Sequence, residues 1–341
     1  MKILVTGGTG YIGSHTVVEL QQQGYEVIII DNLSNSRAEI ADQIAKITGV
    51  KPQLEVFDLT DKQKTQTFFK KHHDLAGVIH FAASKAVGES VEKPLMYYAN
   101  NLGSLINVLE GMIENDIQNF VFSSSCTVYG QPDVLPVSEE APIKPAESPY
   151  GNTKQIAEEI LRDTIKVSQL KAIALRYFNP IGAHESAEIG ELPQGVPNNL
   201  VPYITQTAKG IRAFLSVWGD DYNTPDGTAV RDYIHVMDLA KAHVVAVRRM
   251  LEDNMKEDIE VFNLGTGTGY SVLDVIRAFE RVTGMKLNYK IMGRREGDIE
   301  KVWADPAFSN NELGWSAERG IDEMMDTAWK WEQTYRKNLK I

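Results

Sequence analysis

The sequence has almost no cysteine and no long apolar run. Cys126 is the one cysteine among 341 residues, so an intrachain disulfide cannot form and a reducing compartment, the cytoplasm, is the expected location. No apolar run approaches the roughly 18 residues that a membrane-spanning helix needs. The apolar run at the N-terminus stops at Gly7, which is unlike a signal peptide. We therefore expect no membrane partner.

The sequence also lacks an excess of positive charge and the residue spacing of a metal site. The formal net charge is −11 at pH 7, whereas a protein that binds nucleic acid needs a basic face. The 7 histidines do not fall in the spacing typical of zinc ligands. We predict neither a nucleic-acid partner nor a bound metal, and we interpret Cys126 as a small packing residue.

Apolar strands alternate with amphipathic helices through the first half of the chain. The strand candidates are residues 3–5, 26–30, 54–57, 78–82, 120–124 and 172–178. Continuous apolar strands separated by helices predict a parallel sheet that is covered on both faces. The predicted fold is therefore α/β, with a doubly wound, Rossmann-type parallel sheet and a smaller mixed α/β domain.

The alternation loosens after residue 179, where Pro180, Pro193 and Pro197 stand among glycines and polar residues. We place the first domain at residues 1–179 and the second, substrate-binding domain at residues 180–341. Residues 260–265 form a further strand candidate. The chain is therefore expected to return to the first sheet around residues 230–265.

A glycine loop, TGGTGYIG, follows the first strand candidate directly and precedes a predicted helix. This strand-turn-helix context is the one that a dinucleotide-binding fingerprint requires. Gly7 permits the tight turn, Gly10 lets the backbone approach a pyrophosphate, and Gly13 allows close packing of helix on strand. The free amides at the start of the helix are suited to hold the phosphates.

Asp31 ends the second strand candidate and points to the kind of dinucleotide. A carboxylate at this position accepts hydrogen bonds from ribose hydroxyls and repels a 2′-phosphate, so NAD is favoured over NADP. Arg37 lies close enough in sequence to weaken that preference.

A second pattern joins Ser125, Tyr150 and Lys154. Ser148 and Pro149 are suited to begin a helix, which would place Tyr150 in its first turn and Lys154 one turn later on the same face. The helix N-terminus, the lysine ammonium and an oxidised nicotinamide ring would each favour the phenolate. We expect Tyr150 to exchange a proton with a substrate hydroxyl while Ser125 hydrogen-bonds the same hydroxyl.

With these motifs the chain resembles the extended short-chain dehydrogenase/reductase superfamily and, within it, the UDP-glucose 4-epimerase (UDP-galactose 4-epimerase) family. The resemblance is carried by TGGTGYIGSHT, DNLSNS, HFAASKAVGESVEKP, FSSSCTVYG, SPYGNTK, LRYFNPIGAH, GVPNNLVPYI, VRDYIHVMDLA, NLGTG and RREGD. It implies reversible C4 epimerisation of UDP-glucose and UDP-galactose through a transient 4-keto sugar, with tightly bound NAD as cofactor.

The resemblance also implies which residues form the site. NAD contacts are expected from the glycine loop, with Gly7, Gly10, Tyr11, Ile12 and Gly13, and from Asp31, Asn32, Asn35, Ser36, Asp58, Leu59, Phe81, Ala82, Lys85, Asn100, Tyr150, Lys154 and Tyr177. The UDP-sugar is expected to meet Ser125, Asn179, Asn199, Leu200, Arg231, Tyr233, Arg295 and Asp298, with the uracil near Trp218. Arginines suit a pyrophosphate, and a carboxylate suits ribose hydroxyls.

Two other activities share part of this pattern. A nucleotide-sugar 4,6-dehydratase shares the fold but carries an Asp-Glu pair after the serine position, where this chain has Cys126 and Thr127. A non-catalytic NAD-binding regulator would need the glycine loop but not the Ser125, Tyr150 and Lys154 set. A UDP-N-acetylglucosamine 4-epimerase is a closer variant of the main interpretation.

Two further expectations concern substrate range and assembly. Val302 corresponds to a family position that borders the sugar, where a small residue leaves room for an acetamido group, so N-acetylated UDP-sugars are expected as secondary substrates. A homodimer is expected from helices at Pro94–Glu114 and 149–167, whose apolar residues exceed what one sheet face uses. The apolar residues assigned to that interface are Leu105, Val108, Leu109, Met112, Ile156, Ile160 and Ile165.

Overall fold

The computed structural model describes residues 1–295 and 299–339. Its strands are β1 Lys2–Thr6, β2 Glu26–Asp31, β3 Gln53–Val56, β4 Leu75–His80, β5 Asn119–Ser125, β6 Lys171–Tyr177, β7 Asn179–Ile181, β8 Leu215–Trp218, β9 Val230–His235, β10 Ile259–Leu264, β11 Gly269–Ser271, β12 Tyr289–Met292 and β13 Lys301–Val302. Its α-helices are α1 Tyr11–Gln22, α2 Ile40–Thr48, α3 Lys62–Lys71, α4 Val87–Glu92, α5 Pro94–Glu114, α6 Pro149–Ile165, α7 Leu200–Ala208, α8 Val236–Leu251, α9 Val272–Thr283 and α10 Ile321–Leu339.

Seven parallel strands form the main sheet in the order β10-β6-β5-β4-β1-β2-β3. Successive side chains along a strand point to opposite faces, so each buried strand supplies both faces of the sheet. Ile3 and Val5 of β1 pack with α1 and α8 on one face, while Leu4 packs with α5 and α6 on the other. The predicted α/β, doubly wound fold is confirmed.

The second region is built on a small mixed sheet around β9. Strands β7 and β13 run parallel to β9, and β11 runs antiparallel to it. A separate pair, β8 and β12, lies beyond this sheet. The chain re-enters the main sheet at β10, which pairs with β6, whereas β9 itself belongs to the small sheet. The division of domains at residue 179 stays a prediction.

One part of the sequence interpretation of α5 is wrong. Leu105, Val108, Leu109 and Met112 are all buried in the core beneath the main sheet, so they do not form an exposed interface. The apolar residues that α5 does expose are Leu95, Met96, Ile106 and Ile113. Amphipathic spacing alone did not distinguish the face that packs on the sheet from the face that remains outside.

None of the helices within residues 1–295 and 299–339 combines the length and apolar character needed to cross a bilayer.

Candidate active site

The glycine loop joins β1 to α1 and is shaped by contacts that exclude side chains. Gly7 has φ +69°, and a Cβ there would lie 2.9 Å from the backbone N of Ala82. A Cβ on Gly13 would lie 2.3 Å from the carbonyl O of Gly7. Gly10 is the N-cap of α1 and offers no side-chain cap, so the first turn keeps its amides directed towards the loop. This arrangement fits a pyrophosphate held on a helix N-terminus.

Asp31 lies at the C-terminal end of β2, beside the loop, and is buried. Its carboxylate accepts hydrogen bonds from the amides of Thr9 (3.2 Å) and Leu33 (2.9 Å) and from the Ser36 hydroxyl (2.9 Å). These donors fix the carboxylate at the point where a ribose would lie. Ile12 and Leu59 are buried nearby, while Asn32, which donates to Asp58, and Asn35 are exposed.

The loop after β4 continues the surface formed by the glycine loop and Asp31, here called the cofactor wall because it carries the residues expected to contact NAD. Phe81 and Ala82 are fixed to Thr6, through its carbonyl O at 3.1 Å and its hydroxyl at 3.3 Å. Further along, Asn101 accepts from the amide of Ser84 at 2.8 Å and donates to the Ser84 carbonyl O at 3.0 Å. The neighbouring Asn100 donates to the Ser84 hydroxyl at 3.2 Å. Sequence reasoning missed Asn101, which is buried and determines the course of this loop.

Ser123 and Ser125, at the end of β5, contact different parts of the site. Ser123 accepts a 2.6 Å hydrogen bond from Lys154 Nζ at its carbonyl O, and its hydroxyl lies 2.7 Å from the Tyr177 hydroxyl. Ser125 accepts from the amide of Thr127 at 3.2 Å. A short 3₁₀ turn, Cys126–Tyr129, follows the strand and packs against α6.

Helix α6 begins as the sequence predicts. Ser148 caps it by accepting from the amide of Gly151 at 3.2 Å, and Pro149 occupies its first turn. Tyr150 and Lys154 are both buried, and Lys154 Nζ lies 5.9 Å from the centre of the Tyr150 ring. Ser125 hydrogen-bonds Tyr150, so Ser125, Tyr150 and Lys154 meet at one place although they come from two different elements.

Burial dominates the protonation of this group. Burial raises the pKa of Tyr150 well above its usual value, nearby Tyr177 raises it further, and a hydrogen bond from Ser125 opposes both. Burial also lowers the pKa of Lys154 to about 8, against the opposing charge of Glu158. Among the chain's own groups, burial decides the direction of the pKa shift of Tyr150, and the lowering expected once the nicotinamide charge is added stays a prediction. A site that excludes water disfavours both charged forms, the phenolate of Tyr150 and the ammonium of Lys154.

A buried ion pair lies directly behind this site and was not found from the sequence. Glu158, one turn after Lys154, accepts from Ser124 at 2.7 Å and from two nitrogens of Arg176 at 2.9 and 2.6 Å. Arg176 also donates to the Tyr129 hydroxyl at 2.9 Å. Such a pair is stable because its polar groups are satisfied together. The order of residues along the chain gives no signal for it, since Glu158 and Arg176 lie on separate elements.

The residues expected to meet the UDP-sugar lie on a second surface, here called the substrate wall. Asn179 pairs with Tyr233 in β7 and β9, and Arg231 pairs with Val302 in β9 and β13. Arg231 is partly buried, and its Nη1 donates to the carbonyl O of Val230 at 2.9 Å. Tyr233 and Val302 are buried. The small sheet thus brings together four of the expected substrate residues.

The remaining expected substrate residues are more dispersed. Asn199 is exposed and precedes α7, Leu200 begins that helix, and Trp218 ends β8 with 41% of its surface exposed. Arg295 is exposed near β12. Asp298 lies outside the described residues.

Cys126 begins the 3₁₀ turn, and burial raises the pKa of its thiol to about 12, so it is not activated as a nucleophile. Across the described ranges, His, Cys, Asp and Glu side chains form no cluster of three or more that could hold a metal ion.

Comparison with known proteins agrees with this geometry. The model of the NAD dependent epimerase/dehydratase family matches residues 3–265, and the chain belongs to this family. It is 48% identical to the UDP-glucose 4-epimerase of Haemophilus influenzae over 341 residues, which is 100% of both chains. The resemblance found in the sequence is thereby confirmed.

Solved structures give the same result. The chain is similar to the UDP-glucose-4-epimerase of Stenotrophomonas maltophila with bound NAD and formylated UDP-arabinopyranose, with TM-score 0.95, 46% identity and 99% of each chain covered. It is equally similar to the UDP-glucose 4-epimerase of Bifidobacterium longum in complex with NAD+ and UDP, with TM-score 0.94, 46% identity and 99% of each chain covered.

Proposed function

We propose that this chain catalyses the reversible C4 epimerisation of UDP-glucose and UDP-galactose, through a transient 4-keto sugar and with tightly bound NAD. The observation that carries the proposal is the meeting of Ser125, Tyr150 and Lys154 at the same edge of the parallel sheet as the glycine loop. The full-length identity to UDP-glucose 4-epimerases supports the same reaction.

NAD fits the residues that form the first wall. The loop has no room for a Cβ at Gly7 or Gly13, and Asp31 presents a fixed carboxylate where the ribose hydroxyls would lie. Bound NAD supplies the acceptor and donor for the hydride of the sugar C4. Because the hydride is returned in each cycle, the cofactor need not leave, and a buried, closely fitted site suits it.

The chain's own residues move and hold the proton. Tyr150 takes the proton of the sugar 4-hydroxyl and gives it back to the product, and Ser125 hydrogen-bonds the same oxygen. Lys154 is held by the Ser123 carbonyl O at 2.6 Å, so its position is fixed before substrate arrives. Burial raises the pKa of Tyr150, and the additional positive charge of an oxidised nicotinamide would oppose that effect.

The test is conversion without added cofactor. Purified protein is incubated with UDP-glucose or UDP-galactose, and the products are resolved by chromatography. We expect both to reach the same equilibrium mixture, because retained NAD is sufficient. Absence of conversion in both directions, in protein shown to contain NAD, would refute the proposed activity.

We extend the proposal to N-acetylated UDP-sugars as secondary substrates. Val302 is 5% exposed and packs with Tyr129, Phe178 and Ala304, and its side chain is smaller than the tyrosine that would restrict this position. Val302→Tyr should lower conversion of UDP-N-acetylglucosamine while UDP-galactose conversion changes little. Melting temperature is measured alongside, because overpacking a buried site costs about 1–3 kcal/mol. An equal loss for both substrates, or no N-acetyl activity in the original chain, would contradict the assignment.

We also propose a homodimer. Its interface would lie on the exposed face of α5, not on the buried face that the sequence analysis expected. Leu95, Ile106 and Ile113 are exposed on α5, and Ile156 and Ile160 of α6 are partly exposed beside it. Pairing both helices across a two-fold axis would bury these side chains.

The assembly is tested by light scattering at micromolar concentration. Ile106→Glu should convert a dimer to a monomer, because it places a charge in the apolar face. Val134→Glu is the matched control, since Val134 is 73% exposed and lies away from both helices in sequence. A monomeric mass for the unaltered chain would refute the dimer. A cytoplasmic location belongs to the same proposal and is supported by the single cysteine.

A further inference from the structure

One largely buried carboxylate contacts residues of both the cofactor wall and the substrate wall and has no role in the chemistry described above. Glu191 follows a short antiparallel bridge between Ala183 and Gly190. Its carbonyl O accepts a 3.0 Å hydrogen bond from Trp331 Nε1 of α10. A Cβ on Gly190 would lie 2.4 Å from the Trp331 ring, so the indole packs directly on this backbone. These two contacts with Trp331 fix the backbone at Glu191.

The side chain of Glu191 contacts both walls. Its Oε1 accepts a 2.5 Å hydrogen bond from Asn199 Nδ2, on the substrate wall. The same oxygen lies 3.8 Å from Lys85 Nζ, on the cofactor wall. The Glu191 side chain is 13% exposed against 51% for Lys85. Burial raises the pKa of Glu191, while Lys85 and the Asn199 hydrogen bond lower it.

The Asn199 side chain bonds to Glu191 instead of capping its own helix. It is the N-cap of α7, with the extended backbone (φ −89°, ψ 149°) typical of that position, yet its side chain makes no cap hydrogen bond. Ser148 and Ser271, which cap α6 and α9, do make theirs. The asparagine amide is thus turned away from its own helix and towards Glu191.

We propose that Glu191 is a positioning residue that holds the Asn199 amide in the cleft, where the UDP-sugar binds, and links it to the cofactor wall through Lys85. This inference rests on the proposed function, which places Asn199 at the substrate and Lys85 at NAD. A hydrogen bond to a charged acceptor in a buried site is strong enough to fix an exposed asparagine.

The test uses UDP as the probe and two substitutions of Glu191. Glu191→Ala removes the acceptor and should weaken UDP binding, measured by calorimetry, by about ten-fold or more, the loss expected for a hydrogen bond to a charged group. The KM for UDP-galactose should rise in parallel while kcat changes by less than about three-fold, because no reacting atom is touched. Glu191→Gln keeps an oxygen that accepts from Asn199 and should restore most of the affinity.

A double substitution shows whether the effect passes through Asn199. Glu191→Ala combined with Asn199→Ala should bind UDP no more weakly than Asn199→Ala alone, since the two residues act as one unit. Glu188→Gln is the matched control, because Glu188 lies three positions earlier and pairs with Lys46 at 3.2 Å instead. It should leave UDP affinity unchanged.

Unchanged UDP affinity in Glu191→Ala, full additivity with Asn199→Ala, or equal weakness of Glu191→Gln and Glu191→Ala would each overturn the inference. If Glu191→Ala does not fold, Glu191→Leu, which removes the acceptor but keeps most of the side-chain volume, takes its place and is judged by the same criteria. Because the readout is UDP binding, a chain that binds UDP but converts no UDP-hexose would refute the proposed function and leave this test intact.

Discussion

The two walls of the cleft are built in different ways. The cofactor wall consists of loops at the ends of neighbouring strands of one parallel sheet, and Asp31, Tyr150 and Lys154 on it are buried. The substrate wall is assembled from the small sheet, the start of α7 and the end of β8, and Asn199 and Trp218 on it are exposed.

The difference indicates how each wall tolerates change. Backbone contacts shape the cofactor wall, such as the close approach of Gly13 to the Gly7 carbonyl O, so little can move there. Side chains that reach across from distant segments shape the substrate wall, as Glu191 does towards Asn199. We therefore expect changes in the first wall to affect NAD retention or turnover, and changes in the second to affect KM.

The largest effect is expected at Tyr150. Tyr150→Phe removes the hydroxyl that exchanges the proton, and turnover should fall by about 10²–10⁴-fold, the usual contribution of general acid–base catalysis. Bound NAD, measured by absorbance after denaturation, should stay at the level of the unaltered chain. Normal turnover in this variant would exclude the proton-transfer role.

The glycine loop should be nearly as sensitive, but through the cofactor. Gly13→Ala places a Cβ 2.3 Å from the carbonyl O of Gly7, so the loop must shift. We expect a loss of retained NAD and of about 1–3 kcal/mol in stability. Gly88→Ala is the control, because a Cβ at Gly88 of α4 meets nothing within 4 Å. Equal NAD content in the two variants would contradict the pyrophosphate assignment.

The substrate wall should respond differently. Arg231→Gln removes a guanidinium expected at the pyrophosphate, and KM for UDP-galactose should rise about ten-fold or more, as for the loss of a charge-assisted hydrogen bond. Retained NAD should not change, which separates the two walls. Arg277→Gln is the control, since this exposed arginine pairs with Asp274 at 3.2 Å. NAD loss in Arg231→Gln would break the proposed distinction.

The smallest effect is expected in the free energy of unfolding, which should depend on pH through Lys154. Burial lowers the pKa of Lys154 from 10.5 to about 8, so between these values the folded chain binds fewer protons than the unfolded chain. The contribution of Lys154 to stability therefore rises with pH in this window, by at most about 1.4 kcal/mol per unit. Denaturant unfolding from pH 8 to 9.5 should show this rise, and Lys154→Met should lack it. Parallel curves for the two proteins would show that folding does not lower the pKa of Lys154.

The sequence predicted the strands of the main sheet within a few residues, because most of them are apolar runs between helices; β3, with Gln53 and Glu55, is the most polar of them. It also predicted the start of α6 at Ser148 and Pro149. It did not predict Asn101, the Glu158–Arg176 pair or Glu191. In each case the partners lie on separate elements, and no local pattern records which elements will be neighbours.

The sequence by itself determined the features that depend on local geometry. These are the glycine loop between strand and helix, the carboxylate at the end of β2, and the spacing that places Tyr150 and Lys154 on one helix face. Tertiary structure decided which apolar face of α5 packs on the sheet, and it decided that Tyr150 is buried deeply enough for its pKa to rise. Burial and desolvation depend on everything that packs around a group, so they exist only once the chain has folded.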